Sequence, residues 1–236
     1  MLIDLHAHSS GISRCCQIPV EKVIDVAIEN NLDGIVLTNH YHKPYINDNN
    51  YNAFAKQYIE EFHKAKEYGE KHNFKVFFGL EVTMEKHSYV HLLIYGVNEQ
   101  FVLDPPMLFD YSQEELYKLV KENNGVLIQA HPYRGNKDML LDPKYLDGIE
   151  INCHPLYEGT HIEKLTKIAK ENNLILTCGG DFHADTHRPH CGMYLPDNFK
   201  DSLDIANYLK TTSFVTLCVQ EVDKKESYKF EYYKEK

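Results

Sequence analysis

No stretch of the 236-residue chain stays apolar long enough to cross a bilayer, and its first ten residues read as a strand and a site rather than a leader peptide. Both absences argue against any dealings with a membrane. Positive charge is scarce too: 25 Lys and Arg stand against 35 Asp and Glu, a net charge of -10, and no basic–aromatic stripe is present. A nucleic-acid surface is therefore not expected, which leaves room for a local cationic pocket. The six cysteines, Cys15, Cys16, Cys153, Cys178, Cys191 and Cys218, include no CxxC pair and lack the spacing of a small disulfide scaffold, so a reducing, cytoplasmic setting is expected. What the chain has in quantity is histidine, 14 residues in all. Its apolar fraction of 43% is enough for one sizeable core, and a single domain over residues 1–236 is expected, with a C-terminal strand and tail after about residue 196.

Strand and helix patterns alternate almost throughout, which predicts an α/β fold with a mainly parallel sheet. Apolar residues at Val20, Val23, Ile24, Ala27 and Ile28 keep helical spacing, and a long helix is predicted from about Tyr51 to His72. Ser112 and Glu115 have the spacing of a capping box. Leu2–Leu5, GIVLTNH, FKVFFGLEV, YVHLLIYG, GVLIQAH, GIEINCHP, LILTCGGDFH and SFVTLCVQ read as strands, and the YKFEYYKEK tail as a polar periphery. Three helices close on Glu-Asn-Asn, at 29–31, 122–124 and 171–173, before a hydrophobic strand. Asn tolerates the left-handed conformation that ends helices, so each triplet reads as a C-terminal cap. In each case a His or Asp follows just past the strand, at His40, His131 and Asp181 with His183. In parallel barrels that rim is where active sites assemble.

The chain opens MLIDLHAHSS, and alternation on a strand sends His6 and His8 to the same face. Taken alone, the pair reads equally as two half-exposed imidazoles or as two teeth of a metal clamp. The remaining strand ends decide it: His40, Glu81, His91, His131, Glu150 with Asn152, then Asp181 and His183. Nearly every predicted strand delivers an imidazole or a carboxylate, the donor set of a multinuclear zinc, manganese or iron centre.

Seven segments in order carry a resemblance: DLHAHS at 4–9, LDGIVLTNH at 32–40, GLEV at 79–82, VHLLIYG at 90–96, QAHPYR at 129–134, GIEINCHP at 148–155 and GGDFHAD at 179–185. Together they resemble the PHP (polymerase and histidinol phosphatase) superfamily of metal-dependent phosphoesterases. The resemblance implies a distorted (β/α)7 barrel with up to three metal ions at the C-terminal rim of its strands. By matching position it implies His6, His8, Glu81 and Asp181 around a first ion. Glu81 would bridge to a second, held by His91 and His131, and His40 and His183 would serve a third. It further implies hydrolysis of small phosphate monoesters by a hydroxide shared between two or three divalent ions (Zn, Mn or Fe), with Asp181, His183 and Arg134 as catalytic residues. Two departures stand out. SSGISRCC takes the place of a further His or Asp, so that a cysteine thiolate substitutes, the third ion is weak, or Arg14 supplies the charge. Asn39 stands where Asp is usual, and the loss of an acceptor-only group is expected to loosen the neighbouring ligands.

A guanidinium grips oxyanions in bidentate fashion, which makes Arg14, Arg134 and Arg188 the candidate phosphate contacts. His42, His154, His187 and His190 lie just beyond the motifs and are open to either a substrate contact or simple solvation, and Tyr41–Asn50 to a lid or an inert loop. Three other functions compete: a phosphodiesterase or short-oligonucleotide exonuclease, a metal-binding regulatory module with degraded catalysis, and carbon–nitrogen bond hydrolysis. The partner expected is a small phosphorylated substrate; the oligomeric state is not legible.

Overall fold

The structure, a computed structural model, describes residues 1–87, 90–104, 107–134, 139–157, 159–187, 190–222, 224 and 226–234. The chain begins with β1 (Leu2–Ala7), α1 (Val20–Glu29), β2 (Gly34–Leu37) and the two-residue β3 (His40–Tyr41). There follow α2 (Tyr51–Lys71), β4 (Lys75–Met84), β5 (Val90–Tyr95), α3 (Gln100–Leu103), α4 (Gln113–Glu122) and β6 (Val126–Gln129). The last third holds β7 (Gly148–Asn152), α5 (Ile162–Glu171), β8 (Ile175–Gly179), β9 (Gly192–Tyr194), α6 (Ser202–Thr211), β10 (Phe214–Val219) and β11 (Tyr228–Tyr233).

Local chemistry sets the element ends. Ser112 and Glu115 form the expected capping box of α4, the Glu115 carboxylate accepting from the Ser112 amide at 2.8 Å. The three Glu-Asn-Asn helices end alike: Asn31, Asn124 and Asn173 take φ of 58°, 61° and 53°. The next amide then reaches back to a carbonyl inside the helix, as from Leu32 to Ala27 at 3.1 Å and from Leu174 to Ala169 at 2.9 Å. Asn73 ends α2 in the same way, with φ of 55°. The long helix falls where its periodicity placed it.

The strands form one mixed sheet in the order β11-β10-β9-β1-β2-β4-β5-β6-β7-β8, with β3 beside β4. It curls until a parallel bridge from Ala7 to Phe182 brings its β8 end back to β1, making a nearly closed barrel flanked by helices. The expected alternation breaks at β4–β5–β6, which are antiparallel neighbours. Only a 3-10 turn at Glu85–His87, together with residues outside the described set, joins β4 to β5, too short for the crossover that a parallel pair needs. The tail is also more than a periphery. β11 pairs with β10 over six residues, burying Tyr232, whose hydroxyl donates to the Leu174 carbonyl at 2.8 Å.

This topology fixes the rim. β1, β2, β4, β6, β7 and β8 all point their C-terminal ends one way. The reversed β5 starts at that same end, because Thr83 of β4 lies opposite His91. An antiparallel strand therefore delivers His91 from its beginning where the parallel strands deliver from their ends.

Candidate metal centre

All eight sequence-predicted ligands, His6, His8, His40, Glu81, His91, His131, Asp181 and His183, meet at this rim. Glu81 sits at the middle and is fully buried. One of its oxygens faces His91 Nδ1 at 2.9 Å, His131 Nε2 at 3.1 Å and His6 Nε2 at 3.3 Å. The other faces His40 Nδ1 at 2.7 Å and His8 Nε2 at 3.4 Å. Asp181 presents Oδ1 to His8 Nε2 at 3.0 Å, to His6 Nε2 at 3.4 Å and to His183 Nδ1 at 3.6 Å, and Oδ2 to Arg134.

The tautomers follow from what anchors each ring. Glu150 is buried and accepts from His6 Nδ1 at 2.8 Å, which leaves the His6 Nε2 lone pair turned to the centre. Ser13 donates its single hydroxyl proton to Asn39 Oδ1 at 2.8 Å and accepts from the His40 amide at 2.9 Å. At His8 Nδ1, 3.1 Å away, it must therefore accept again, and His8 Nε2 carries a lone pair. The His183 ring donates through Nδ1 to the Asp181 carbonyl at 2.8 Å.

These residues fit a metal on donor chemistry and on geometry. The lone pairs of His6 and His8 converge at 3.0 Å, where two lone pairs repel unless a cation lies between them. Two nitrogens on one tetrahedral zinc stand ~3.3 Å apart. Glu81 Oε2 and His40 Nδ1 are buried and, despite their 2.7 Å separation, make no hydrogen bond. Donor atoms gather in three overlapping groups: His6, His8 and Glu81; His40, Glu81 and His91; and His8, His40 and His183. His40 thus stands with Glu81 and His91 as well as with His183.

The charges are poised for the same role. Burial would push the Glu81 carboxyl up, but the positive charge that His40, His91 and His6 take up beside it, on protons that a bound metal would displace, outweighs burial and holds it well below the usual carboxylate range. Burial likewise opposes the Asp181 carboxylate, and His6 and Arg134 overcome it. Burial lowers His8 well below the ordinary imidazole value, with the nearby His183 and His40 adding to the effect. His131 falls to about 3 through burial and the Arg134 charge. Both rings are neutral donors at physiological pH. Backbone strain gathers here as well, with positive φ at His131 (32°), Tyr133 (68°) and Asp181 (49°).

Around the ligands runs a network that the sequence only partly announced. Glu150 and Asn152 support the site as their alternation suggested, Glu150 also accepting from the His131 amide at 2.9 Å. Asn39 does not loosen its neighbours, because a carboxamide both accepts and donates. Its oxygen takes the Ser9 amide at 2.7 Å and the Ser13 hydroxyl, while its nitrogen donates to Ser9 Oγ at 3.0 Å. Ser9 passes the chain on to Glu61 at 2.6 Å. Asp4 was missed entirely: it accepts from the His6 and Gly180 amides, each at 2.9 Å, and ties β1 to the turn before Asp181. Its only sequence signal was its place two residues before His6, on the same face.

The arginines go separate ways. Arg134 pairs with Asp181 and lies 4.4 Å over the Tyr157 ring. Arg14 turns to the 43–47 segment, donating to the carbonyls of Pro44 (3.1 Å) and Tyr45 (2.8 Å) and to Asn47 Oδ1 (2.9 Å). Arg188 lies outside the described residues. His154 packs against His183 and His187, at 5.9 Å and 4.8 Å between ring centres, whereas His190 bonds away from the centre to Ser227 at 2.7 Å. A cavity of about 90 Å3 opens beside His91, His131 and Arg134. A cavity of about 620 Å3 lies at the opposite end of the barrel among Phe62, Phe77, Asn98 and Lys200, and no histidine lines it. Among the described residues no helix is long and apolar enough to cross a membrane.

A family model described as PHP domain matches residues 4–178. The fold is similar to a two-domain Bacteroides vulgatus protein containing a predicted PHP-like metal-dependent phosphoesterase, at TM-score 0.68 and 17% identity. That alignment covers 93% of this chain but only 65% of the other. PsfC from Pseudomonas syringae is similar at TM-score 0.63 and 18% identity, covering 87% and 86% of the two chains. An amidohydrolase from Chromobacterium violaceum, with bound sulfate and no metal, is similar at TM-score 0.59 and 17% identity, covering 89% and 97%. No curated protein matches the chain.

Proposed function

The chain belongs to the PHP domain family, and on that premise we propose that it is a metal-dependent phosphoesterase acting on small phosphate monoesters. The observation that carries this reading is Glu81, a buried carboxylate whose two oxygens face separate sets of imidazoles, as a bridge between two ions requires. The ring β1-β2-β4-β5-β6-β7-β8 has seven strands, which supports reading the barrel as a distorted (β/α)7 form in a single domain over residues 1–236.

His6, His8, Glu81 and Asp181 would hold a first divalent ion, and Glu81, His91 and His131 a second. His40 and His183, with His8 close by, would hold a third. Zinc, manganese and iron all suit these nitrogen and oxygen donors. Ions held there would supply Lewis-acid polarisation of the phosphoryl oxygens and an activated water near neutral pH.

The chain's own residues do the rest. Glu150 and Ser13 fix the His6 and His8 rings, so neither must turn to react. Asp181 orients Arg134, whose planar fork would clamp the phosphate oxygens, and His183 faces the same side from its anchor on the Asp181 carbonyl. Arg14 would act indirectly, by holding the 43–47 segment over the site. The sulfate on the Chromobacterium violaceum relative is a tetrahedral oxyanion of the same kind. Six free thiols suit a reducing, cytoplasmic setting.

The test is metal content on protein purified without chelator, paired with hydrolysis of p-nitrophenyl phosphate. Two to three ions per chain with metal-dependent turnover is the expected result. Bound metal without turnover after manganese, iron and zinc reconstitution would favour a regulatory module, and hydrolysis of a phosphodiester alone would favour the nuclease-like reading. No metal under any condition would overturn the proposal.

A further inference from the structure

Cys153 directly follows β7, Cys178 lies within β8 and Cys191 directly precedes β9. All three are buried, and their sulfurs lie within 4.8 Å of one another, with Cys153 and Cys178 at 3.6 Å. We propose that these three thiols form a second metal site, all sulfur, that takes one thiophilic ion and is separate from the histidine–carboxylate centre.

Three sulfurs in a plane around zinc at about 2.3 Å stand ~4 Å apart, between the shortest separation here and the bound on the others. Soft thiolates select zinc, cadmium or copper(I) over the manganese that an oxygen-rich centre accepts. Separation from the first centre comes from strand alternation. Gly179 faces His6 so closely that a Cβ on it would lie 2.4 Å from the His6 Cβ, and Cys178 therefore points to the other side of β8.

Hydrogen bonding leaves the sulfurs available. Cys178 donates to the Cys218 carbonyl at 3.3 Å, so its lone pairs turn to Cys153. The Cys178 and Cys191 thiols hold Cys153 well below the ordinary thiol value against the effect of burial, whereas burial and Cys153 push Cys178 and Cys191 well above it, so Cys153 is the first of the three to ionise. A cleft of about 210 Å3, lined by Cys153, Pro155, Gln220, Glu221 and Lys224, leads in from the surface. Binding of a divalent ion forms three metal–sulfur bonds, breaks three S–H bonds and sends three protons out through that cleft. No electron is transferred, and three thiolates with one divalent ion leave the site with a single surplus negative charge.

The test loads the reduced enzyme with magnesium, a hard diamagnetic ion that prefers oxygen ligands, then titrates it with cadmium while recording ultraviolet absorption and cadmium NMR. Cys15→Ser/Cys16→Ser serves as the control for thiols beside the histidine centre. One equivalent of cadmium should give thiolate-to-metal charge transfer and a sulfur-ligated resonance, both kept in the control and both lost in Cys153→Ser and Cys191→Ser. The proposal falls if the signals are absent, vanish in the control, or survive both single variants. Should the single variants fail to fold by circular dichroism, the control decides alone: a sulfur-ligated resonance supports the site and its absence overturns it. Phosphoesterase turnover is measured on the same samples, so failure of the thiol site is distinguishable from failure of the enzyme reading.

Discussion

The two sides of β8 gather metal-ligating atoms by opposite means. On the inner side the donors are charged or strongly polar, come from strands spread between residues 6 and 183, and are anchored from behind. His6 leans on Glu150, His8 on Ser13, and Ser13 on Asn39. On the outer side three thiols converge from adjacent elements and lean mainly on sulfur, Cys153 meeting Cys178 at 3.6 Å while Cys178 donates to the Cys218 carbonyl at 3.3 Å. A thiol is apolar enough to be buried without such support, whereas a buried carboxylate or imidazole must have every remaining polar atom satisfied. The inner centre therefore has a positioned form before any ion arrives, and the outer one is assembled by its ion.

Substitutions can break this contrast. The largest effect is expected from Glu81→Ala, which removes the carboxylate shared by both sets of imidazoles. Metal content by elemental analysis and turnover should collapse together, and full retention of both would refute the bridge. Arg134→Ala comes next. The ions should stay bound while kcat/KM falls roughly 10²–10³-fold, the usual loss for one transition-state donor, with Arg134→Lys recovering only part because it cannot bond in two places at once. Glu150→Gln should weaken metal binding by roughly 10–100-fold, read by competition with a chelator, with kcat little changed once the protein is loaded. Cys153→Ser should do least to catalysis. Turnover should not change, while burying a hydroxyl in place of a thiol costs about 1–3 kcal/mol and lowers Tm by roughly 2–12 °C.

Local patterns carried most of the architecture. The Asn caps, the capping box at Ser112 and the long second helix follow from interactions within a few residues, and they fell where expected. Strand direction did not, because the apolar pattern of YVHLLIYG is the same whichever way the strand runs. The pairing of β11 was hidden for a related reason: YKFEYYKEK buries mainly Tyr232, too little apolar surface to signal a strand. At the site, the residues that meet at the rim were legible because imidazoles and carboxylates recur at strand ends. The partition among ions was blurred, since His40 faces two groups at once. Asn39 was misread because its value depends on Ser9 and Ser13 some thirty residues away, and no spacing rule connects them.

The barrel closes through the Ala7–Phe182 bridge, the bond from the Asp181 amide to the His6 carbonyl at 2.8 Å and the bond from the Gly180 amide to the Asp4 carboxylate at 2.9 Å. Proposed ligands line both banks of that junction, His6 and His8 on one and Asp181 and His183 on the other. An ion bound between them would act as a buckle on a strap: it would secure this join of the ring, and the ring would have to spring there for the ion to leave. Amide exchange at residues 5–8 and 180–183 should therefore slow on metal loading far more than exchange in α2 or β10, and the rate of metal release should follow the rate at which that junction opens.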